Sequence, residues 1–354
     1  MSDFDFLLNK HRQLDYAVRN NKGQAFLSGW NSVHPFQKEY SKIDANSSDK
    51  LKYQFYKDSS ELKELIVQFH QETDRIDLNI NSVLPGDGST PLIAAFCSLL
   101  FSEKIKEVFY IPPMYYMFYH HLKFFGIKTR PVSRKHLFEE SAQLNLPDKK
   151  TILIFSDPIW YAGKSVNQSF IDEIAKWQRK TESIVFVDGT FQYIQWNGSY
   201  EEKSSQLSQE LTYRLICPTK YLAVHGHRFS YCLVPADKYE PFLYSYDNLI
   251  GPTSTYNLSF AHSALRIMLR PNRNKELIDH IMKTYLQITE VGAIKTTIIP
   301  DSSFFVFGQI NSSLKNLLLM DQGYFDQKRF PDYYRVNLLG GDTLKIINGA
   351  SKSY

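Results

Sequence analysis

Lys220 and Arg228 stand eight positions apart in the segment Cys217-Pro-Thr-Lys220-Tyr-Leu-Ala-Val-His-Gly226-His-Arg228-Phe-Ser-Tyr231. A lysine amine can hold an aldehyde as a Schiff base, and an arginine a short loop away can grip a phosphate through its planar fork. With 41 basic residues in the chain, such a pair also arises by chance, so the reading depends on its companions. Upstream, Leu84-Pro-Gly86-Asp-Gly88-Ser89-Thr90 runs into the apolar, helix-like stretch Pro91 to Leu100. Backbone N–H groups freed by glycine and two hydroxyls then stand at a helix N-terminus, where the helix dipole favours an anion. The segment lacks both the glycine spacing of a dinucleotide fingerprint and the lysine of a P-loop. Between the two lies Ser183-Ile-Val-Phe-Val-Asp188-Gly189, a β-branched run that ends in a carboxylate. Ligand crevices of open α/β sheets lie beyond the carboxyl ends of the strands, which puts Asp188 beside a ligand.

An aldehyde-holding lysine, a phosphate cup and a strand-end carboxylate together point to pyridoxal 5'-phosphate (PLP). Lys220 is the Schiff-base candidate, and Gly88, Ser89, Thr90 and Arg228 are the phosphate candidates. Asp188 would keep the pyridine nitrogen protonated, so that the ring draws electrons from a substrate carbanion.

In chain order, Gly88-Ser89-Thr90, Pro113-Met-Tyr115-Tyr-Met-Phe118, Asp157-Pro158 to Gly163, Asp188, Lys220, Arg228 and Tyr334-Arg335-Val-Asn resemble the fold-type-I PLP enzymes. Among these the chain is most similar to the class I/II aminotransferases and, by its compact length, to the histidinol-phosphate aminotransferase-like branch. The resemblance implies an α/β, aspartate aminotransferase-like fold, with a mainly parallel sheet in a large domain and a smaller α+β domain. It implies that Tyr115 stacks on the pyridine face and that Arg335 receives the substrate α-carboxylate. The amides of Gly88 and Ser89 would join in holding the phosphate. It also implies a homodimer with shared sites, in which Tyr53 or Tyr56 reaches the partner's phosphate, Tyr56 being favoured by its Tyr-x-Asp context.

Departures from the family pattern are equally specific. Trp160 stands where an asparagine bonds the ring's phenolic oxygen, and Phe191 where a tyrosine donates to the same atom. Trp160 through its indole N–H, Gln192 or Tyr193 would have to substitute. Cys217 replaces a phosphate-touching hydroxyl, leaving Thr219 to stand in. The expected function is therefore an aminotransferase acting on an α-amino acid or related amine, with a lyase, cyclase or β/γ-substituting enzyme of the same fold as the alternative. Asn31 is a further substrate-side candidate, although nothing in Trp30, Asn31 or the aromatic segment 114–119 fixes a side-chain pocket.

Net charge is +4, without a dense basic block, so nucleic acid is not implied. Cys97, Cys217 and Cys232 lack metal-ligand spacing and read as reduced thiols of a cytoplasmic protein. His120-His121 and His225-Gly-His227 fall short of the three or four convergent ligands that zinc requires. No run has signal-peptide or bilayer-spanning character, so no membrane partner is expected.

Strand-like runs from Glu107, Gly126, Lys150, Ser183, Tyr213 and Arg228 alternate with helical spacing over 115–125 and 167–180, which argues a mainly parallel sheet covered on both faces. Long helices over 256–269 and 274–289 and strands at 303–307 and 334–338 form the smaller lobe. The expected division is an N-terminal arm with part of the small domain over 1–45, a large PLP-binding domain over 46–240 and a C-terminal small domain over 241–354. Serine-rich Glu201 to Glu210 reads as an exposed linker.

Overall fold

The computed structural model describes residues 3–20, 23–43, 52–272, 274–321, 324 and 330–350. The expected division between residues 45 and 46 lies outside them. Seven strands form the main sheet: β1 (Val83–Gly86), β2 (Glu107–Tyr110), β3 (Lys128–Pro131), β4 (Ile152–Ser156), β5 (Ile184–Gly189), β6 (Thr212–Ile216) and β7 (Ser230–Leu233). Their order is β1-β7-β6-β5-β4-β2-β3, and β7 alone runs antiparallel to its neighbours. The sheet is thus mainly parallel, as expected, and its central strands are buried on both faces. In β5, Val185 and Val187 enter one apolar cluster and Phe186 the other, the period of two that a strand imposes.

Four helices matter most for the site: α1 (Asp3–Arg19), α2 (Ser60–Thr73), α3 (Ser89–Ser102) and α4 (Tyr116–Phe124). The chain continues through α5 (Gln168–Thr181), the short α6 (Pro218–Tyr221), α7 (Tyr239–Ile250), α8 (Thr255–Met268), α9 (Lys275–Glu290) and α10 (Gly341–Ala350). Helix α3 buries Leu92, Ile93, Ala95, Phe96, Cys97, Leu99 and Leu100 because it lies between the sheet and α7. Strands β8 (Ile294–Lys295), β9 (Phe305–Ile310), β10 (Met320–Asp321) and β11 (Tyr333–Asn337) make a second, antiparallel sheet in the order β10-β11-β9-β8. Helices α1, α7 and α10 had no counterpart in the sequence reading.

The expected linker over 201–210 is instead packed. Glu202, Ser204 and Leu207 are buried, the Glu202 carboxylate accepts the Tyr193 N–H, and Ser204 Oγ accepts from Gln192 Nε2 at 2.7 Å. Its polarity serves buried partners, which composition alone cannot distinguish from solvation.

Candidate active site

Strand ends and one helix start bring the chemistry to a single cavity of about 360 Å³. Lys220 and Asp188 line it, together with Ser89, Tyr115, Trp160 and Arg335. These residues are spread over more than 240 positions of sequence, so the fold assembles the group that the spacing suggested.

Lys220 sits on α6, one turn after β6, where its N–H and that of Tyr221 both donate to Cys217 O. Its amine lies 5.7 Å from the Phe191 ring centroid. Burial lowers the amine to about 8; Arg335 and Arg228 push the same way and Cys217 opposes them. Such an amine is about one-tenth unprotonated at pH 7, far more than an ordinary lysine, which favours attack on a carbonyl.

The loop expected to cup a phosphate is set by Gly88, at φ +92° and ψ 173°, a conformation essentially reserved for glycine. A Cβ there would fall 2.5 Å from Arg228 Nη2 and 3.0 Å from its Cζ, so the guanidinium lies directly over the loop. The Gly88 N–H corrects one expectation: it donates to Gly86 O at 2.8 Å and is already used. Ser89 and Thr90, the first two residues of α3, retain the unbonded N–H groups of a helix start. Thr219 is buried with its hydroxyl 3.0 Å from Cys217 Sγ and donating to Phe229 O at 3.4 Å.

Asp87 pins this loop. Its Oδ1 accepts from Tyr56 Oη at 2.9 Å, Thr253 Oγ1 at 2.7 Å and Asn257 Nδ2 at 2.8 Å, while its N–H donates to Tyr246 Oη at 2.9 Å. Tyr56 is therefore buried within its own chain, and Tyr53 is the exposed member of the pair, at 84 %. This reverses the preference for Tyr56 as the residue free to reach a second copy.

At the end of β5, Asp188 Oδ1 accepts from Thr190 Oγ1 at 2.5 Å and from Thr190 N at 3.2 Å. Oδ2 has only the Ser156 hydroxyl, at 3.5 Å. Burial raises the carboxyl above the usual range, against the lowering by Thr190 and Ser156. A cation at Oδ2 would restore full ionisation.

Arg335 is buried on β11. Its Nη2 donates to Ser28 O at 2.8 Å, Nε has no partner, and the guanidinium carbon stands 4.2 Å from the Phe305 ring centroid and 5.5 Å from that of Trp160. Desolvation lowers even this group, to about 10. An orphaned, desolvated guanidinium facing a cavity suits a carboxylate ligand. Tyr115 meets Trp160 edge to face, with centroids 6.0 Å apart, and burial raises its phenol well above the ordinary value.

Three other expectations change. The Trp160 indole N–H donates to Pro113 O at 3.3 Å, so it is engaged outside the cavity. Gln192 and Tyr193 belong to a buried network behind the sheet: Gln192 Oε1 accepts from Arg214 Nε at 2.8 Å, and Tyr193 Oη donates to Asp74 Oδ2 at 2.8 Å. Asn31 is exposed and is not part of the cavity wall, where its neighbour Trp30 stands. In that network Arg214 Nη1 donates to Asp74 Oδ2 at 2.6 Å. Burial alone would raise the Asp74 carboxyl, but Arg214 and His70 hold it well below the usual carboxylate range.

The fold and the convergence of these residues define a class I/II aminotransferase architecture. The sequence profile of aminotransferase class I and II matches residues 31–328, and the chain belongs to this family. No curated protein sequence matches it. Among solved structures it is similar to substrate-bound BacF from Bacillus subtilis, with a TM-score of 0.78, 12% identity, and 98% of this chain and 95% of that one covered. It is also similar to N-succinyldiaminopimelate aminotransferase from Mycobacterium tuberculosis (TM-score 0.77, 15% identity, 96% and 95% covered). YbdL from Escherichia coli, described as having a methionine aminotransferase function, gives a TM-score of 0.76 at 14% identity, with 97% and 96% covered. At these identities the likeness shows the fold.

Proposed function

We propose that the chain is a PLP-dependent aminotransferase of α-amino acids, the observation that carries it being the desolvated Lys220 amine in one cavity with Asp188 and Arg335. The free N–H groups of Ser89 and Thr90, with Arg228 over Gly88, fit a phosphate, and the open Oδ2 of Asp188 fits a protonated ring nitrogen. When bound, PLP supplies an aldehyde that condenses with amines and a ring that accepts electrons from the substrate Cα. Lys220 would hold that aldehyde at Nζ, and the same buried amine would take the substrate's α-proton and return it. Asp188 would keep a positive charge on the ring nitrogen, and Tyr115 would offer a ring face for stacking. Arg335, held by Ser28 O through Nη2, would offer its partnerless Nε to the α-carboxylate.

The aminotransferase names among the similar structures favour amino transfer over elimination, cyclisation or substitution. A cytoplasmic homodimer of the histidinol-phosphate aminotransferase-like branch is the finer reading, with a large lobe over 46–240 and a small lobe over 1–45 and 241–354. The order of motifs, three free buried cysteines and the exposed Tyr53 support it. Titrating the PLP-loaded protein with a panel of amino acids tests the reaction. Conversion to the pyridoxamine form is expected, and release of a 2-oxo acid without that form would overturn it.

A further inference from the structure

Asp188 presents its two oxygens unequally, and Thr190 is the cause. Strand β5 ends at Gly189, and the residue after it folds back on the carboxylate, so that Thr190 N–H and Thr190 Oγ1 both donate to Asp188 Oδ1, at 3.2 and 2.5 Å. The N–H bond is the one an aspartate ordinarily accepts in closing a turn, and it needs no particular side chain at the donor. The hydroxyl is a further donor to an oxygen that accepts about two, so Oδ1 is filled. Oδ2 keeps only the Ser156 hydroxyl, at 3.5 Å. Thr190 lines the same cavity as Asp188, yet its hydroxyl is directed at the carboxylate.

We propose that Thr190 is a positioning residue of this site, its hydroxyl fixing Asp188 through Oδ1 so that Oδ2 meets a protonated ring nitrogen. This rests on the reading of Asp188 as the partner of that nitrogen. The carboxylate is 4 % exposed and has no ion pair among the described residues, so solvent and counter-charge do little to orient it. Rotation about the Asp Cβ–Cγ bond is intrinsically soft, and without the hydroxyl the plane of the carboxylate is held by one N–H alone. The hydroxyl also favours the charged form. Burial raises the Asp188 carboxyl, and donation from the Thr190 side chain is the largest opposing influence.

The test measures, by equilibrium dialysis against cofactor-free protein, the binding of PLP and of its analogue with CH in place of the ring nitrogen. The analogue keeps the aldehyde and the phosphate, so it reports an intact site. The unsubstituted protein is expected to prefer PLP. Thr190→Val keeps the branched shape and the N–H but lacks the hydroxyl, and should shrink that preference by about tenfold, the worth of one hydrogen bond to a charged group, with the analogue bound as before. Thr190→Ser should retain the preference. A preference unchanged in Thr190→Val, or lost equally in Thr190→Ser, overturns the role of Thr190 alone. Equal binding of both ligands by the unsubstituted protein would remove Asp188 as the partner of the ring nitrogen, and Thr190 with it.

Discussion

Arg228 Nη2 lies 2.5 Å from where a Cβ on Gly88 would stand, which joins the proposed phosphate arginine to the start of α3 across 140 residues of sequence. The contact is possible because Gly88 has no side chain and holds φ at +92°. Gly88→Ala should therefore act twice. The backbone strain costs about 1–3 kcal/mol, and the displaced guanidinium loosens PLP by about tenfold or more. Thermal unfolding and equilibrium PLP binding read the two effects separately. A variant with unchanged PLP affinity would separate Arg228 from the phosphate.

Lys220 should titrate near 8 in the cofactor-free protein, because burial disfavours its ammonium form. Its reactivity toward an amine-directed reagent is then expected to rise through that pH, the free amine dominating above it and the ammonium below. Arg335→Gln removes a cation that also disfavours the ammonium, so the midpoint should move up. Borohydride reduction of the PLP-loaded protein should fix the cofactor on Lys220, and trapping on another lysine would sink the assignment.

Asp188→Ala should remove the charge that keeps the ring nitrogen protonated. Exchange of the substrate α-hydrogen with solvent deuterium is expected to slow by orders of magnitude, far more than substrate binding weakens. A wild-type exchange rate would show that the carboxylate has a structural role alone.

Much of the sheet was legible because its strands are continuous apolar runs and its site residues stand at strand ends, which fixes them to one edge of the fold. Helix α7 was not, since Tyr239–Ile250 buries Tyr239, Phe242, Ser245 and Tyr246 against α3, a partner that no local pattern names. The roles of Gln192, Tyr193 and Glu202 were hidden for a related reason. Polar residues look alike in sequence whether they meet a ligand, solvent or a buried network, and here Arg214 gathers them behind the sheet. Asp87 had a visible signal, a carboxylate between two glycines of the cup, but its three donors come from Tyr56, Thr253 and Asn257.

The Asp74 and Arg214 pair gives a stability prediction. Asp74→Asn leaves a buried guanidinium without its counter-charge and should cost about 3–5 kcal/mol in denaturant unfolding. The Asp74 carboxyl is depressed in the folded protein. Its stabilisation is therefore present above the unfolded value near 3.9 and lost as pH falls through the lower folded value. The acid limb of the stability curve should flatten in Asp74→Asn, and an unchanged limb would assign acid sensitivity to other groups.

Tyr53 and Tyr56 separate two modes of holding the cup. Tyr56 donates to Asp87 Oδ1 in its own chain, so Tyr56→Phe should weaken the cup of the subunit that carries it. Tyr53 is exposed and free to extend toward a second copy, where a phenol donating to phosphate contributes about 1.5–3 kcal/mol. Each variant is mixed with Lys220→Ala chains and assayed at limiting PLP. For Tyr53→Phe the heterodimer has one site with both defects and one intact, so activity should partly return. For Tyr56→Phe each site of the heterodimer keeps one defect, and mixing should restore nothing. Recovery with Tyr56→Phe instead would mean that the buried phenol leaves Asp87 on dimerisation, and full activity from a sedimenting monomer would remove the shared site altogether.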